Sequence, residues 1–192
     1  MIKTKQDLKR YIKQDALALR IVDRKHPKLL GDEIWKFQIL LRKCEFYSNM
    51  TRAGKLLRLP TYVIARLRFK KASLKLGFSI PLNVFDEGLS IAHYGTIVVN
   101  PNAKVGKNCR IHEGVNIGAA NGSMNAPVIG NNVFIATGAK IIGDITVADD
   151  VAIGANAVVV KSIEQSGVTY GGVPAKKISD NNSHSNLSPY IF

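Results

Sequence analysis

Cysteine is scarce in these 192 residues: Cys44 and Cys109 are the only two, and no Cys-x-x-Cys occurs. A disulfide framework is therefore excluded. Four histidines are enough for a catalytic site but few for a metal cluster. No run approaches the ~18 consecutive apolar residues of a membrane-crossing helix. The opening Met-Ile-Lys-Thr-Lys-Gln-Asp lacks the apolar stretch of a signal peptide, so the expectation is a cytoplasmic protein. Hydrophobic residues at 46% and charged residues at 21% predict a packed core and exclude a disordered chain.

Acids are few, 14 against 27 Lys and Arg, and the resulting charge of +13 is uneven. Residues 1–80 carry 20 of the bases and 6 of the acids; residues 81–192 carry 7 and 8. From Arg52 to Lys75 run Arg52, Lys55, Arg58, Arg66, Arg68, Lys70, Lys71 and Lys75 without one acid. Such a stretch is either a solvated helix face or an attraction for an anionic partner: a phosphorylated ligand, a membrane surface or nucleic acid. No aromatic-interleaved basic groove accompanies it, which argues against nucleic acid.

The basic part reads as helices. Thr4 and Asp7 form a capping-box pattern that predicts a helix to about Val22. Asp32 is the expected N-cap of a second helix to about Tyr47, with Ile34, Phe37, Leu41 and Cys44 on one apolar face. Pro60 interrupts the next stretch, and Thr61 to Leu76 is a third helix that Gly77 stops. Trp35 and Phe37 are expected in the core. The module, residues 1–77, is too short and too basic to bury much surface alone, so it should dock elsewhere.

A six-residue period takes over from there. Val99, Val105, Ile111, Ile117, Ile129, Ile135, Ile141, Val147, Ile153 and Val159 share one phase, and only Ser123 among the eleven positions fails. Three residues after each comes a corner: Asn102, Asn108, Gly114, Ala120, Asn132, Gly138, Asp144, Asp150 and Asn156. Eight of those nine are types that tolerate left-handed or tight-turn backbone. Cys109 falls in the neighbouring column of small apolar residues, which marks it as packing. Helices and alternating strands do not repeat every six residues. Short strands closing triangular coils of about 18 residues do, and they stack at ~4.8 Å. The fold class is therefore mainly β, a parallel β-helix of hexapeptide repeats with a small α-helical domain before it. Gly118 to Val128 interrupts the pattern as a protruding loop; Gly171 to Lys177 is an exit turn, and residues 180–188 read as a mobile tail. The boundaries are 1–77, 78–178 and 179–192.

Gly-Leu-Ser-Ile-Ala-His-Tyr-Gly-Thr-Ile-Val-Val-Asn (88–100), the repeats and Gly-Val-Pro-Ala-Lys (172–176) resemble the hexapeptide-repeat acyltransferases. The resemblance is greatest to their serine acetyltransferase-like group, which includes O-acetyltransferases of surface polysaccharide synthesis. It implies a left-handed coil, contrary to the usual crossover hand. It also implies homotrimers, with higher order possible through the helical domain, and acetyl-coenzyme A in the groove between rods. His93 matches the family's general base, an imidazole suited to taking a proton from an attacking hydroxyl near neutral pH. Tyr94 and Gly95 would shape its pocket. His112, Glu113 and Asn116 are expected on the acceptor side of the groove.

Spacing contributes to the coenzyme site. Gly118, Ala136, Gly154 and Gly172 lie 18 apart, with Ala119, Thr137 and Ala155 beside them, so two columns of small residues should expose backbone to a pantetheine arm. Close packing between rods would also favour small residues there. Lys140, Lys161, Lys176 and Lys177 are the expected partners of the nucleotide phosphates, Lys161 and Lys176 foremost. No metal is expected, because His93 and His112 alone cannot supply the three imidazoles of the carbonic anhydrase built on this coil. Two departures bear on the acceptor. The serine-specific enzymes carry Asp where this chain has Ala92, and a loop His-Pro where it has Ala126-Pro127. Both point to a sugar hydroxyl rather than free serine, with serine acetylation for cysteine synthesis the alternative. The ending Tyr190-Ile191-Phe192 makes docking to cysteine synthase doubtful.

Overall fold

A computed structural model of the chain describes residues 1–192. Four helices come first: α1 (Lys5–Ala18), α2 (Glu33–Ser48), α3 (Arg52–Leu57) and α4 (Leu59–Leu76). Thr4 and Asp7 form the expected reciprocal cap of α1. That helix ends four residues earlier than predicted, and Arg20 just beyond it adopts φ 62°. Asp32 precedes α2 but does not cap it; its carboxylate accepts instead from Arg24 and the Lys28 N–H. Pro60 opens α4 rather than breaking it, because a first-turn N–H needs no partner.

Beyond Gly77 the chain winds through three parallel faces. The first face stacks Phe78–Ser79, Ile97–Val99, Asn116–Gly118, Lys140–Ile142 and Val158–Val159. The second stacks Lys104–Val105, Val128–Ile129 and Thr146–Val147. The third stacks Ser90–Ile91, Arg110–Ile111, Phe134–Ile135, Ala152–Ile153 and Thr169–Gly171, and Lys176–Ser179 turns back antiparallel on its end. All ten residues of the repeating aliphatic phase are buried. Their burial contributes on the order of 15–30 kcal/mol before chain entropy is subtracted. Asn108, Gly114, Asn132, Gly138, Asp150 and Asn156 turn their corners with φ between 54° and 75°. Cys109 is wholly buried, and burial pushes its thiol up to about 12, which suits packing and not attack.

The helices dock on the first coils as expected. Phe37, Leu41, Cys44, Ala65, Phe69 and Leu76 belong to the same continuous core as the repeats. Phe37 lies between Phe69 and Phe78, with ring centroids at 5.3 and 5.0 Å. A polar seam completes the junction. Buried Arg42 reaches Asp15 at 2.8 Å, Glu45 at 3.0 Å and the carbonyls of Phe85 and Asp86 at 2.8 and 2.7 Å.

Residues 180–192 correct the mobile-tail expectation. The Ser183 hydroxyl donates to the Asn132 carbonyl and the Ser188 hydroxyl to that of Leu17, while Leu187 is buried. The Asn and Ser side chains that suggested disorder serve as hydrogen-bond partners, tying the chain's end to α1.

Candidate active site

The first coil has one corner wider than its neighbours. Ile91 and Val99 pair with Ile111 and Ile117. The earlier pair is eight residues apart and the later pair six, so two extra residues lie in the corner that carries His93. The end of α4 holds this corner: the N–H of Gly95 donates to the Leu76 carbonyl at 3.0 Å, and that of Ile97 to Gly77 at 3.1 Å. Gly77 caps the helix with φ 80°, and a Cβ there would come within 3.1 Å of the Gly95 backbone. A Cβ on Gly95 would in turn press on Glu113 at 3.0 Å. Glycine at both places lets helix, corner and next coil close on one another.

His93 is exposed on this corner. His112 stands on the next coil with ring centroids 5.6 Å apart, edge to face, and Phe134 backs it at 5.2 Å. Nitrogen atoms of both histidines and a carboxylate oxygen of Glu113 lie within 4.8 Å of one another. Burial lowers the His112 pKa, and the charge of Arg110 adds to this. Glu113 is held below the usual carboxylate range, chiefly by the Thr137 hydroxyl that donates to it. Its other oxygen, Oε2, is buried without a hydrogen-bond partner. The edge thus combines an open imidazole, a neutral imidazole and an ionised carboxylate. The same three groups could hold a divalent metal, but the metal would occupy the lone pair that a base requires.

The predicted columns are only partly present. Ala92, His112, Ala136 and Gly154 climb one edge, each N–H bonding to the coil above at 2.8 to 3.0 Å. Thr137 and Ala155 continue the line of His93 and Glu113, with Thr137 donating to both the Glu113 carbonyl and carboxylate. Gly118 does not join them. It pairs with Ile142 on the first face, and Ala119 follows it there. The reason is the 118–128 loop: Ile117 and Ile129 occupy adjacent faces although twelve residues separate them, so the loop adds six residues without advancing a face. Phase is preserved while face assignment shifts. Asn116, Gly118 and Ala119 instead line a separate cleft of about 510 Å³ with Val98, Pro101 and Ile142.

Tyr94 is 73% exposed and stands open to solvent. Lys161 and Lys176 are exposed and make no ion pair, whereas Lys140 is bonded to the Gly114 carbonyl and Lys177 to Asp180. In the loop, Asn125 donates to Asp144 at 2.7 Å and Ala126 is buried. Sequence reasoning missed Thr137 as the partner of Glu113 and Phe134 as the support of His112. Neither carries a motif, and both follow only from the stacking of coils.

Comparison with known proteins agrees with this architecture. Residues 126–161 match the family model described as bacterial transferase hexapeptide (six repeats). A serine acetyltransferase of Staphylococcus xylosus is 33% identical over 150 residues, covering 73% of this chain and 69% of the relative. One from Helicobacter pylori is 36% identical over 121 residues, covering 62% and 70%. The crystal structure of the Brucella abortus serine acetyltransferase with coenzyme A superposes with a TM-score of 0.71 at 25% identity, over 93% of this chain and 70% of that one. With repeats, corner histidine and these likenesses together, the chain belongs to the hexapeptide-repeat acyltransferases, in their serine acetyltransferase-like group, and is an acyltransferase with acetyl-coenzyme A as co-substrate.

Proposed function

We propose that the protein is an O-acetyltransferase in which His93 is the general base and acetyl passes directly from coenzyme A to an acceptor hydroxyl. The imidazole takes the hydroxyl proton as the oxygen attacks the thioester carbon. The tetrahedral intermediate then collapses, the C–S bond breaks, and the imidazolium returns its proton to the departing thiolate. Neutral His112 and ionised Glu113 suit this cycle, because the carboxylate favours the transient positive charge on His93. The observation that carries the reading is the exposed His93 with the Glu113 carboxylate beside it.

The relatives favour serine as the acceptor over the sugar expected from sequence, since those quoted are serine acetyltransferases. Glu113 is compatible with the change: it keeps an ionised carboxylate beside His93, an anionic group of the kind an amino-acid acceptor needs and Ala92 cannot supply. A sugar hydroxyl of surface polysaccharide synthesis remains the second reading, favoured by Ala92 and Ala126. The coil is taken as left-handed and the assembly as a trimer. In that trimer the edge of Ala136, Thr137, Gly154 and Ala155 would face a neighbour across the coenzyme groove, with Lys161 and Lys176 available to its phosphates. Light scattering should then give a mass near three times 21.0 kDa.

Thiol release from acetyl-coenzyme A, measured with serine and with nucleotide sugars side by side, tests the acceptor. Rapid turnover with serine supports the first reading, and turnover with a sugar alone supports the second. His93→Ala should lower turnover ~100-fold or more with the true acceptor; unchanged turnover would remove His93 from the reaction.

A further inference from the structure

Helix α4 has two apolar faces, and the fold uses one. Ala65, Phe69 and Leu76 are buried against the rest of the molecule. Leu59, Val63, Leu67 and Leu74 are between 46% and 71% exposed. At 3.6 residues per turn these four fall within an arc of about 80°, well away from the buried face. Arg66 borders that arc on one side and Lys71 and Lys75 on the other, while Lys70 rises from within it. All four bases are exposed and none makes an ion pair. The preceding α3 adds Leu56 and Leu57, exposed by 75% and 82%.

We propose that this face of α4 lies on an anionic lipid surface, its aliphatic stripe entering the headgroup boundary and its lysines and arginines meeting the lipid phosphates. Charge selects the occupant. From Arg52 to Lys75 there are eight bases and no acid, so a second copy would bring like charge against like charge. Single-stranded nucleic acid would use stacking aromatics, and the stripe is aliphatic. An apolar stripe bordered by bases on both sides is the pattern of an interfacial helix. A cleft of about 450 Å³ adjoins it, lined by Tyr62, Arg66, Lys70, Ser73 and Ser79, with the bases and hydroxyls suited to a phosphate. The C-terminal end of the same helix holds the His93 corner, so docking would set the reacting edge at a fixed distance from the membrane. The inference stands on α4 and is independent of which hydroxyl is acetylated.

Flotation with vesicles tests it, using equimolar phosphatidylglycerol and phosphatidylcholine against phosphatidylcholine alone at about 0.15 M salt. The protein should float with the anionic vesicles and not with the neutral ones. Lys70→Gln with Lys71→Gln should weaken partitioning roughly 30-fold. Leu67→Gln with Leu74→Gln should weaken it about tenfold or more at unchanged charge. Both double variants should keep the wild-type melting temperature. Equal or absent binding to the two vesicles overturns the proposal. So does a fall in oligomer mass on Leu67→Gln with Leu74→Gln, which would make the stripe a contact between copies. Binding to single-stranded RNA that needs the lysines but not the leucines, without flotation, overturns it as well.

Discussion

In the prism, Ile111, Ile135 and Ile153 stack one above another with no exposure at all, whereas the bulkiest fully buried side chain of the protein is Arg42 in the helical module. Each is closely packed, yet they stabilise differently. The aliphatic ladder gains from removing hydrocarbon from water, and each rung repeats the last. Arg42 gains little net energy from its partners, because desolvating three charges offsets their attraction. Burial pushes the carboxyls of Asp15 and Glu45 up, while Arg42 pulls them back down. What the charged seam supplies is a fixed position. Asp15 also accepts from the N–H groups of Gly88 and Leu89, both at 2.9 Å, so one carboxylate registers α1 against the first coil. Repetition builds the rod, and a single polar cluster fixes what sits at its end.

The contrast can be attacked at four points. The largest effect should fall on chemistry and spare stability: His93→Ala, at an exposed edge, should cost turnover ~100-fold or more while Tm stays within about 2 °C. A large drop in Tm would make that histidine part of the scaffold. Next comes Arg42→Met, which strands two buried carboxyls and should cost roughly 3–5 kcal/mol, seen as a Tm lower by about 6–20 °C. A wild-type melt would mean that the seam is not sealed from water. Ile135→Val removes one methylene from one rung and should cost only about 0.5–1.5 kcal/mol by denaturant titration. A loss as great as that of Arg42→Met would erase the distinction between the regions.

The smallest effect concerns acid. The folded pKa of His112 lies below its ordinary value of 6.5. The unfolded chain therefore binds more protons, and stability falls as pH drops through and below 6.5. Urea melts of wild type and His112→Gln should diverge there and coincide above pH 7 or so; parallel curves throughout would deny His112 its half-buried, neutral state.

The prism was legible because it repeats: ten aliphatic residues in one phase leave few other architectures, and His93 stood in a motif beside them. The edge holding Ala136, Thr137, Gly154 and Ala155 followed from the same spacing. Gly118 did not, since a loop of one hexapeptide length preserves phase and hides a change of face. The polar seam could not be read either. Asp15, Arg42 and the Gly88 N–H are scattered along the chain, and nothing local distinguishes the two side chains from surface charges. The tail failed for a related reason: Ser183 and Ser188 look like linker residues until the carbonyls of Asn132 and Leu17 are opposite them. Composition reports what a segment can bond to, not what awaits it across the fold.

The loop between Gly118 and Val128 has a consequence for how such rods diversify. Because its six extra residues advance no face, a hexad gained or lost within it leaves the whole upper half in the same rotational setting, and every interior methyl keeps its neighbour. Lysines and small residues above it hold their flank whatever its length. The loop could thus be rewritten without a single intermediate that melts.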